Sequence, residues 1–168
     1  MFSTDIVDRA TAVLARCREL GVHLVTAESC TGGLIAGALT EIAGSSDVVD
    51  CGFVTYSNGA KIDLLKVPAD MLDQHGAVSE QVARAMAEGA MERAHASAAI
   101  AVTGIAGPGG GSADKPVGLV HIACARAEQH TLHQRCLFRD VGRARVRELT
   151  VLAALDLVLQ HLQQPSLA

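Results

Sequence analysis

A serine stands between an apolar run and a pair of glycines, in the segment Ser29-Cys30-Thr31-Gly32-Gly33. The preceding run, Val22–Ala27, is short and β-branched, and apolar residues resume helical spacing after the glycines, so the segment is a predicted turn from strand to helix. Backbone N–H groups at a helix start have no partner within the helix, so a hydroxyl here lies beside donors that could hold an oxyanion. The glycines leave room for a substrate. The pattern suits a nucleophile, although N-capping by such residues is the more frequent role.

A serine nucleophile needs a base, and the predicted loops near Ser29 contain no histidine. Lys61, which follows the next predicted strand, is the candidate. A lysine accepts a proton only when its amine is neutral, and apolar neighbours such as Leu64 and Leu65 could lower its pKa from about 10.4 by removing it from water. Tyr56, the only tyrosine, could hydrogen-bond to either group. The alternatives are a solvated helix lysine and an ordinary strand aromatic.

Cys30 offers a second nucleophile directly after the serine. A thiol at a helix N-terminus has a lowered pKa, and the thiolate is its reactive form. The residue types alone therefore leave serine and cysteine open.

A third loop, from Thr103 to Ser112, is too rich in glycine for a regular element. It lacks the helix that follows a dinucleotide-binding Gly-x-Gly-x-x-Gly and the Gly-Lys-Ser/Thr ending of an ATPase phosphate loop. Its backbone could still hold a phosphate, which Arg143, Arg145 and Arg147 could neutralise. A solvated basic face is the commoner meaning of such a run of arginines.

Strand and helix patterns alternate along the chain, and a hairpin follows late. The predicted strands are Val22–Ala27, Val48–Tyr56, Ala98–Val102, Val117–Ala125 and His130–Phe138. The last predicted helix begins at Arg143, and its apolar face is expected to contain Leu149, Leu152, Leu155, Leu159 and Leu162. We predict a three-layer α/β/α fold with a mostly parallel mixed sheet and one antiparallel strand, in a single domain over residues 1–168. Ligands of such sheets bind beyond the carboxyl ends of the strands, where all three loops are expected.

Composition excludes several classes of function. The net charge is −4 and the chain has three Phe, one Tyr and no Trp, so neither a basic phosphate track nor stacking platforms for nucleic acid are expected. No apolar run approaches the roughly 20 residues of a membrane helix, and the N-terminus has no secretory signal, so we expect a cytoplasmic protein without a membrane partner. The five cysteines and seven histidines lack metal-binding spacing, and no metal site is predicted.

Several long motifs occur in a consistent order over nearly the whole chain. They are Thr26-Ala27-Glu28-Ser29-Cys30-Thr31-Gly32-Gly33, Gly44-Ser45-Ser46, Tyr56-Ser57-Asn58, Lys61, His75-Gly76-Ala77-Val78-Ser79, Thr103-Gly104-Ile105-Ala106-Gly107-Pro108 and Lys115-Pro116-Val117-Gly118. In these motifs the sequence resembles the CinA C-terminal domain family. The resemblance implies a stand-alone nicotinamide-nucleotide amidohydrolase of pyridine nucleotide salvage. Such an enzyme converts nicotinamide mononucleotide and water to nicotinic acid mononucleotide and ammonia, needs no cofactor, and forms a homodimer or larger homo-oligomer.

The resemblance also implies roles for individual residues. It makes Ser29 the nucleophile, Lys61 the general base and Tyr56 a supporting hydroxyl. Backbone N–H groups near Thr31 to Gly33 would stabilise the oxyanion, and the glycine loop with two arginines would bind the nucleotide. The implied oxyanion and substrate-binding set is Cys30, Thr31, Gly32, Gly33, Thr103, Gly104, Ile105, Ala106, Gly107, Arg143 and Arg147.

The sequence departs from the family's pattern in three places. Gly59 stands where an acidic residue usually follows Tyr-Ser-Asn, Lys66 stands where glycine is common, and Val141-Gly142 replaces a Gly-Asp pair before the first arginine. These departures bear on fine substrate contacts more than on the reaction.

Two alternatives to a serine amidase stay open at this point. One is an amidase whose nucleophile is Cys30. The other is a regulatory module that binds a pyridine nucleotide without turning it over, in keeping with the family's association with DNA uptake and damage genes. The intact set of Ser29, Tyr56 and Lys61 argues against the second, because a pure binder needs neither nucleophile nor base.

Overall fold

The computed structural model describes residues 2–139 and 141–164. The strands in this part of the chain are β1 Leu24–Glu28, β2 Val49–Val54, β3 Ala98–Gly104, β4 Leu119–Arg126 and β5 Leu132–Leu137. The α-helices are α1 Thr4–Leu20, α2 Leu34–Thr40, α3 Asn58–Leu65, α4 Ala69–His75, α5 Glu80–Ala94 and α6 Arg143–Gln163. None of these helices combines the length and apolar character that a bilayer span requires.

The five strands form one mixed sheet in the order β2-β1-β3-β4-β5. β1 pairs in parallel with β2 and β3, whereas β4 is antiparallel to both β3 and β5. Four strands therefore run in one direction and β4 in the other, which confirms the predicted sheet. Glu28, the last residue of β1, is in register with Val54 of β2 and Val102 of β3. The loops that follow these three strands consequently leave the sheet at one edge.

Side chains that alternate along the strands build a core on each face of the sheet. On β3, Ile100 and Val102 pack into the core shared with α1, α2 and α6. Ala99 and Ala101 pack into the other core, with residues of α3, α4 and α5. Small alanine side chains on this second face let α5 lie close against the strands. The two helical layers around the sheet match the predicted α/β/α class.

Each predicted strand differs from the structure at one or both ends. β3 extends to Gly104, so Thr103 and Gly104 belong to the strand and not to the predicted loop. The differences at β1 and β2 have a common reason. The predicted strand Val48–Tyr56 ends at Val54, and the predicted strand Val22–Ala27 begins at Leu24. An apolar, β-branched run marks residues that favour extended backbone, but a strand continues only where a neighbour accepts its hydrogen bonds. β2 ends opposite the last residue of β1, and Tyr56 therefore leaves the sheet with an exposed side chain.

Candidate active site

A cavity of about 230 Å³ opens where the loops after β1, β2 and β3 meet. Each of these loops contributes residues to it, as do the segment before α5 and the start of α6. The lining consists of Ser29, Cys30, Tyr56, Asn58, Lys61, Ala77, Val78, Thr103, Gly104, Ala106 and Arg143. The convergence of the three loops at one edge of the sheet, expected from the sequence, therefore creates a single concave site.

Lys61 and Ser29 lie side by side in this cavity. Lys61 Nζ is 3.1 Å from Ser29 Oγ, and it donates a 2.7 Å hydrogen bond to the carbonyl oxygen of Thr55. Ser57 is the N-cap of α3, and its hydroxyl accepts a hydrogen bond from the N–H of Ala60. Because this cap starts the helix soon after β2, Lys61 lies in the first turns of α3, next to the end of the sheet. Lys61 is only 1% exposed. The structure therefore places the predicted nucleophile and base within hydrogen-bonding distance.

The surroundings of Lys61 favour its neutral amine. Burial lowers the pKa of Lys61 below its ordinary 10.5, because an apolar environment penalises the ammonium. In the part of the chain that the structure describes, no carboxylate lies within ion-pair distance of Nζ. The lysine is thus a buried amine that contacts a hydroxyl and a carbonyl, which suits a general base.

Cys30 is placed unfavourably for nucleophilic attack. Burial raises the pKa of the Cys30 thiol to about 12, so the thiol stays protonated near neutral pH. The expectation of a lowered thiol pKa at this position is therefore wrong. The main reason is the burial of the thiol, to which a nearby negative charge adds. In addition, α2 begins only at Leu34, and N–H groups at its start already bind an anion.

That anion is the side chain of Glu28, a residue for which the sequence predicted no role. Glu28 is fully buried at the end of β1 and accepts hydrogen bonds from the hydroxyl of Thr31 at 2.6 Å and from the N–H groups of Gly33, Ile35 and Ala36 at 3.1, 3.0 and 2.9 Å. An acidic residue directly between an apolar strand and a turn with two glycines is the signal that could have revealed it, because carboxylates bind helix N-termini.

Glu28 changes which backbone groups are available as oxyanion donors. The N–H of Gly33 donates to Glu28, and the N–H of Gly32 donates to the carbonyl of Ser29 at 3.1 Å. This differs from the expectation that N–H groups near Thr31 to Gly33 supply the oxyanion hole, and none of these three residues lines the cavity. Among the described residues, the N–H groups of Cys30 and Thr31 have no hydrogen-bond partner, but Thr31 is fully buried. The N–H of Cys30, which lines the cavity, is the donor next to Ser29 that remains for a substrate.

Tyr56 and Arg143 connect two sides of the cavity. The guanidinium of Arg143 donates to the hydroxyl of Tyr56 and to the carbonyl of Gly107, each at 3.0 Å. The hydroxyl of Tyr56 thus binds Arg143, whereas the sequence suggested a bond to Ser29 or Lys61. The arginine places a positive charge at the mouth of the site, between the β2 loop and the glycine loop.

Arg147 lies on the other side of the turn that contains Ser29. Its guanidinium donates a 2.7 Å hydrogen bond to the carbonyl of Thr31. It lines a separate, largely apolar cavity of about 320 Å³ with Phe2, Ile6 and Val151 among its walls. Although Arg143 and Arg147 are one helical turn apart, only Arg143 lines the cavity with Ser29 and Lys61.

The start of the glycine loop forms one wall of the site. The buried hydroxyl of Thr103 donates to the carbonyl of Ala77 at 2.8 Å, which ties the loop to the segment before α5. A Cβ on Gly104 would lie 2.7 Å from Val120 Cγ2, so only glycine fits there without a shift. Thr103, Gly104 and Ala106 line the cavity, whereas Ile105 and Gly107 do not.

Three lining residues received no role from the sequence: Asn58, Ala77 and Val78. Each belongs to a motif that carries the family resemblance, and the motif was the available signal. Among the described residues, no group of three or more His, Cys, Asp or Glu side chains could hold a metal ion.

Comparisons with known proteins agree on one family. The family model described as the CinA C-terminal domain matches residues 7–162. A CinA-like protein of Geotalea daltonii is 50% identical over 163 residues, which are 96% of this chain and 39% of that protein. One from Synechococcus sp. (strain CC9902) is 49% identical over 147 residues, which are 88% of this chain and 35% of that protein. The chain therefore spans less than two fifths of the length of these curated relatives.

Solved structures agree with the same assignment. The competence/damage inducible protein CihA from Agrobacterium tumefaciens has a TM-score of 0.94 and 54% identity, with coverage of 98% of this chain and 99% of that chain. A CinA superfamily protein from Escherichia coli has a TM-score of 0.89 and 38% identity, with coverage of 96% and 93%. On the fold, the site and these matches together, the chain belongs to the CinA C-terminal domain family.

Proposed function

We propose that the protein is an amidohydrolase that converts nicotinamide mononucleotide and water to nicotinic acid mononucleotide and ammonia, with Ser29 as nucleophile and Lys61 as base. The single observation that carries this proposal is the 3.1 Å separation of Lys61 Nζ and Ser29 Oγ at the end of a buried lysine side chain. The choice of substrate comes from the family resemblance.

Acylation starts with proton transfer from Ser29 to Lys61. The hydroxyl oxygen attacks the carboxamide carbon as its proton moves to the neutral amine of Lys61. The carbonyl of Thr55, 2.7 Å from Nζ, accepts an N–H of the lysine and so orients its lone pair. Burial lowers the pKa of Lys61, so a larger fraction of its amine is neutral than in an exposed lysine.

The tetrahedral intermediate carries a negative oxygen, which needs donors close to Ser29. The N–H of Cys30 fills this role, since those of Gly32 and Gly33 are already hydrogen-bonded and Thr31 is fully buried. Each oxyanion donor in such sites contributes about 3 kcal/mol to the lowering of the barrier. When the intermediate collapses, the C–N bond breaks, Lys61 returns its proton to the nitrogen, and ammonia leaves.

A water molecule completes the cycle. Lys61 takes a proton from this water, the hydroxide attacks the ester carbon, and Ser29 leaves with the proton as its hydroxyl re-forms. The product is a carboxylic acid on the pyridine ring, which passes its proton to the released ammonia in solution, so that a carboxylate, ammonium and free enzyme remain. No electron transfer occurs.

The character of the cavity supports a small anionic substrate. Its volume of about 230 Å³ is smaller than the roughly 300–1,000 Å³ typical of ligand pockets, so it suits a pyridine amide with only part of its ribose inside. Arg143 lines the cavity, and its guanidinium donates hydrogen bonds to the hydroxyl of Tyr56 and the carbonyl of Gly107. This cation suits a phosphate group carried outside the pocket by the ribose.

The test is an assay of ammonia release from nicotinamide mononucleotide by the purified protein, with nicotinic acid mononucleotide followed by chromatography. We expect wild-type protein to form both products in equal amounts and Ser29→Ala to lose activity. Ser46→Ala is the matched control, because it removes an exposed hydroxyl from a residue that does not line the cavity.

Two other outcomes would point to the alternatives. Full turnover by Ser29→Ala together with loss of activity in Cys30→Ala would transfer the nucleophile to the cysteine. Tight binding of the nucleotide, measured by calorimetry, without any ammonia would favour a regulatory module that binds but does not react.

A further inference from the structure

Glu28 is the only carboxylate-bearing residue of β1, and its position directly before Ser29 is unusual for a charged side chain. It is fully buried, and all four of its partners donate to it: the hydroxyl of Thr31 and three N–H groups at the start of α2. Charged side chains are rarely fully buried unless they are paired or hydrogen-bonded. The carboxylate of Glu28 accepts three hydrogen bonds at Oε2 and one at Oε1, which compensates for its burial.

We propose that Glu28 is a positioning residue that decides which N–H groups stabilise the oxyanion. The inference rests on the proposed function, because it concerns the transition state of acyl transfer to Ser29. By accepting from Gly33, Ile35 and Ala36, Glu28 removes these donors from the site. The N–H of Cys30, which has no partner among the described residues and belongs to a residue that lines the cavity, is then left beside the nucleophile.

The turn between β1 and α2 is held at Thr31 from two directions. Its hydroxyl donates to Glu28 at 2.6 Å, and its carbonyl accepts from Arg147 at 2.7 Å. The carbonyl of Ser29 also accepts from the N–H of Gly32 at 3.1 Å, which closes the turn. Because the carbonyl of Ser29 and the N–H of Cys30 belong to one peptide group, the orientation of the Cys30 N–H is fixed. Donors that are oriented before the reaction cost no reorganisation when the oxyanion forms.

A purely structural role for Glu28 makes a different prediction. If the carboxylate only capped α2, its loss would lower stability without any effect specific to the charged oxygen of the transition state. If it positions the donors, its loss weakens the stabilisation of a developing O⁻ more than that of a developing S⁻, because sulfur accepts hydrogen bonds poorly.

The experiment compares wild type, Glu28→Gln and Glu19→Gln. Glu19 is an exposed residue of α1 that pairs with Arg16, so its substitution makes the same chemical change at a distant surface. Substrates are nicotinamide mononucleotide, its thioamide analogue, and p-nitrophenyl acetate as a general acyl donor. For Glu28→Gln we expect kcat to fall about 100-fold with KM changed less than about threefold, and the preference for the amide over the thioamide to fall about tenfold.

Glu28→Asp is included because the glutamine variant could fail to fold, which thermal unfolding followed by circular dichroism detects. Aspartate keeps the charge but is one methylene shorter, so we expect a folded protein with a smaller loss of kcat and of amide preference. A folded Glu28 variant with an unchanged amide-to-thioamide ratio would overturn the inference, whatever its stability.

The ester separates this inference from the proposed function. If wild type hydrolyses p-nitrophenyl acetate but not the nucleotide, the proposed substrate is wrong, and a 100-fold loss of esterase activity in Glu28→Gln still supports the positioning role. If wild type hydrolyses neither compound, both proposals are overturned.

Discussion

Lys61 Nζ and Ser29 Oγ are 3.1 Å apart although the residues are 32 positions apart in the sequence. The proximity follows from the parallel pairing of β1 and β2, because Glu28 and Val54 end their strands in register. Ser29 continues directly from one strand end, and α3 begins soon after the other. Two short connections at one sheet edge are thus sufficient to bring a buried amine to a hydroxyl.

The first prediction concerns the pH dependence of catalysis. Only the neutral amine of Lys61 accepts the serine proton, so kcat/KM should rise with pH, reach half of its limiting value at the pKa of Lys61 and level off above it. Because burial lowers that pKa, the midpoint should lie below the 10.5 of an exposed lysine. Initial rates across pH 6 to 10, with the fold checked by circular dichroism at each pH, measure this profile. A rate that is flat or falls over the range would contradict the role of Lys61.

The second prediction concerns Lys61→Arg. Arginine keeps a positive charge but does not become neutral near pH 7, so it cannot act as base. We expect turnover to fall by about 10²–10⁴-fold, the usual contribution of a general base, while nucleotide binding changes little. Kinetics and calorimetry measure the two effects separately.

The matched control is Lys66→Arg, at the exposed C-terminal end of α3. It should leave both turnover and binding close to those of wild type. Near-normal turnover by Lys61→Arg would leave the lysine with only an electrostatic role.

The sequence was sufficient for the class of sheet and for the convergence of Ser29, Lys61 and Thr103, because hydrophobic periodicity and loop chemistry are local properties. The packed face of α6 was less predictable. Leu155 and Leu162 are buried as expected, but Leu149 and Leu159 are only partly buried, while Val151 and Val158 are buried between them. The rotation of α6 is set by its contacts with α1 and β4, and residue type alone does not reveal those contacts.

The hydrogen bonds that hold the turn containing Ser29 could not be predicted from the sequence for a related reason. The hydrogen bond from Arg147 to Thr31 joins residues that are 116 positions apart. The four hydrogen bonds of Glu28 lie within a short segment, but they depend on the exact path of the turn. Sequence therefore indicated the reacting groups and left unseen the contacts that orient them.

The third prediction concerns the contact between α3 and α5. A Cβ at Gly89 of α5 would collide with the carbonyl oxygen of Leu65, the last residue of α3. Alanine inside a helix normally stabilises by about 0.5–1 kcal/mol relative to glycine. Overpacking costs about 1–3 kcal/mol, so we expect Gly89→Ala to lower the free energy of unfolding. Since α3 carries Lys61, its displacement should also lower turnover.

Gly59→Ala provides the comparison, because Gly59 lies near the start of α3 and its nearest neighbour, Ser57 Oγ, is 3.9 Å from the position of a Cβ. At Gly59 only the helix preference of alanine acts, and we expect the free energy of unfolding to rise by about 0.5–1 kcal/mol. Urea denaturation of both variants gives the two values. Equal stabilisation by both substitutions would show that α3 and α5 can move apart at Gly89 with little cost in free energy, and it would contradict the prediction.

The fourth prediction concerns stability at mildly acid pH. Burial, together with the neighbouring His133, lowers the pKa of His121 to about 4, and burial also lowers the pKa values of His133 and His161. An unfolded histidine has a pKa of about 6.5, so between that value and the folded pKa the unfolded chain binds more protons. Above pH 7 these histidines should not lower the free energy of unfolding. That free energy should then fall as the pH decreases toward 5.

His161 is the most direct test, because it is fully buried and burial is the main cause that lowers its pKa. His161→Leu should flatten the decrease in stability between pH 7 and 5, since no proton then has to be excluded from the core. His130→Gln, at an exposed position between β4 and β5, is the control and should keep the wild-type slope. Urea denaturation at several pH values measures these slopes, and a wild-type stability that rises toward pH 5 would contradict the burial of neutral histidines.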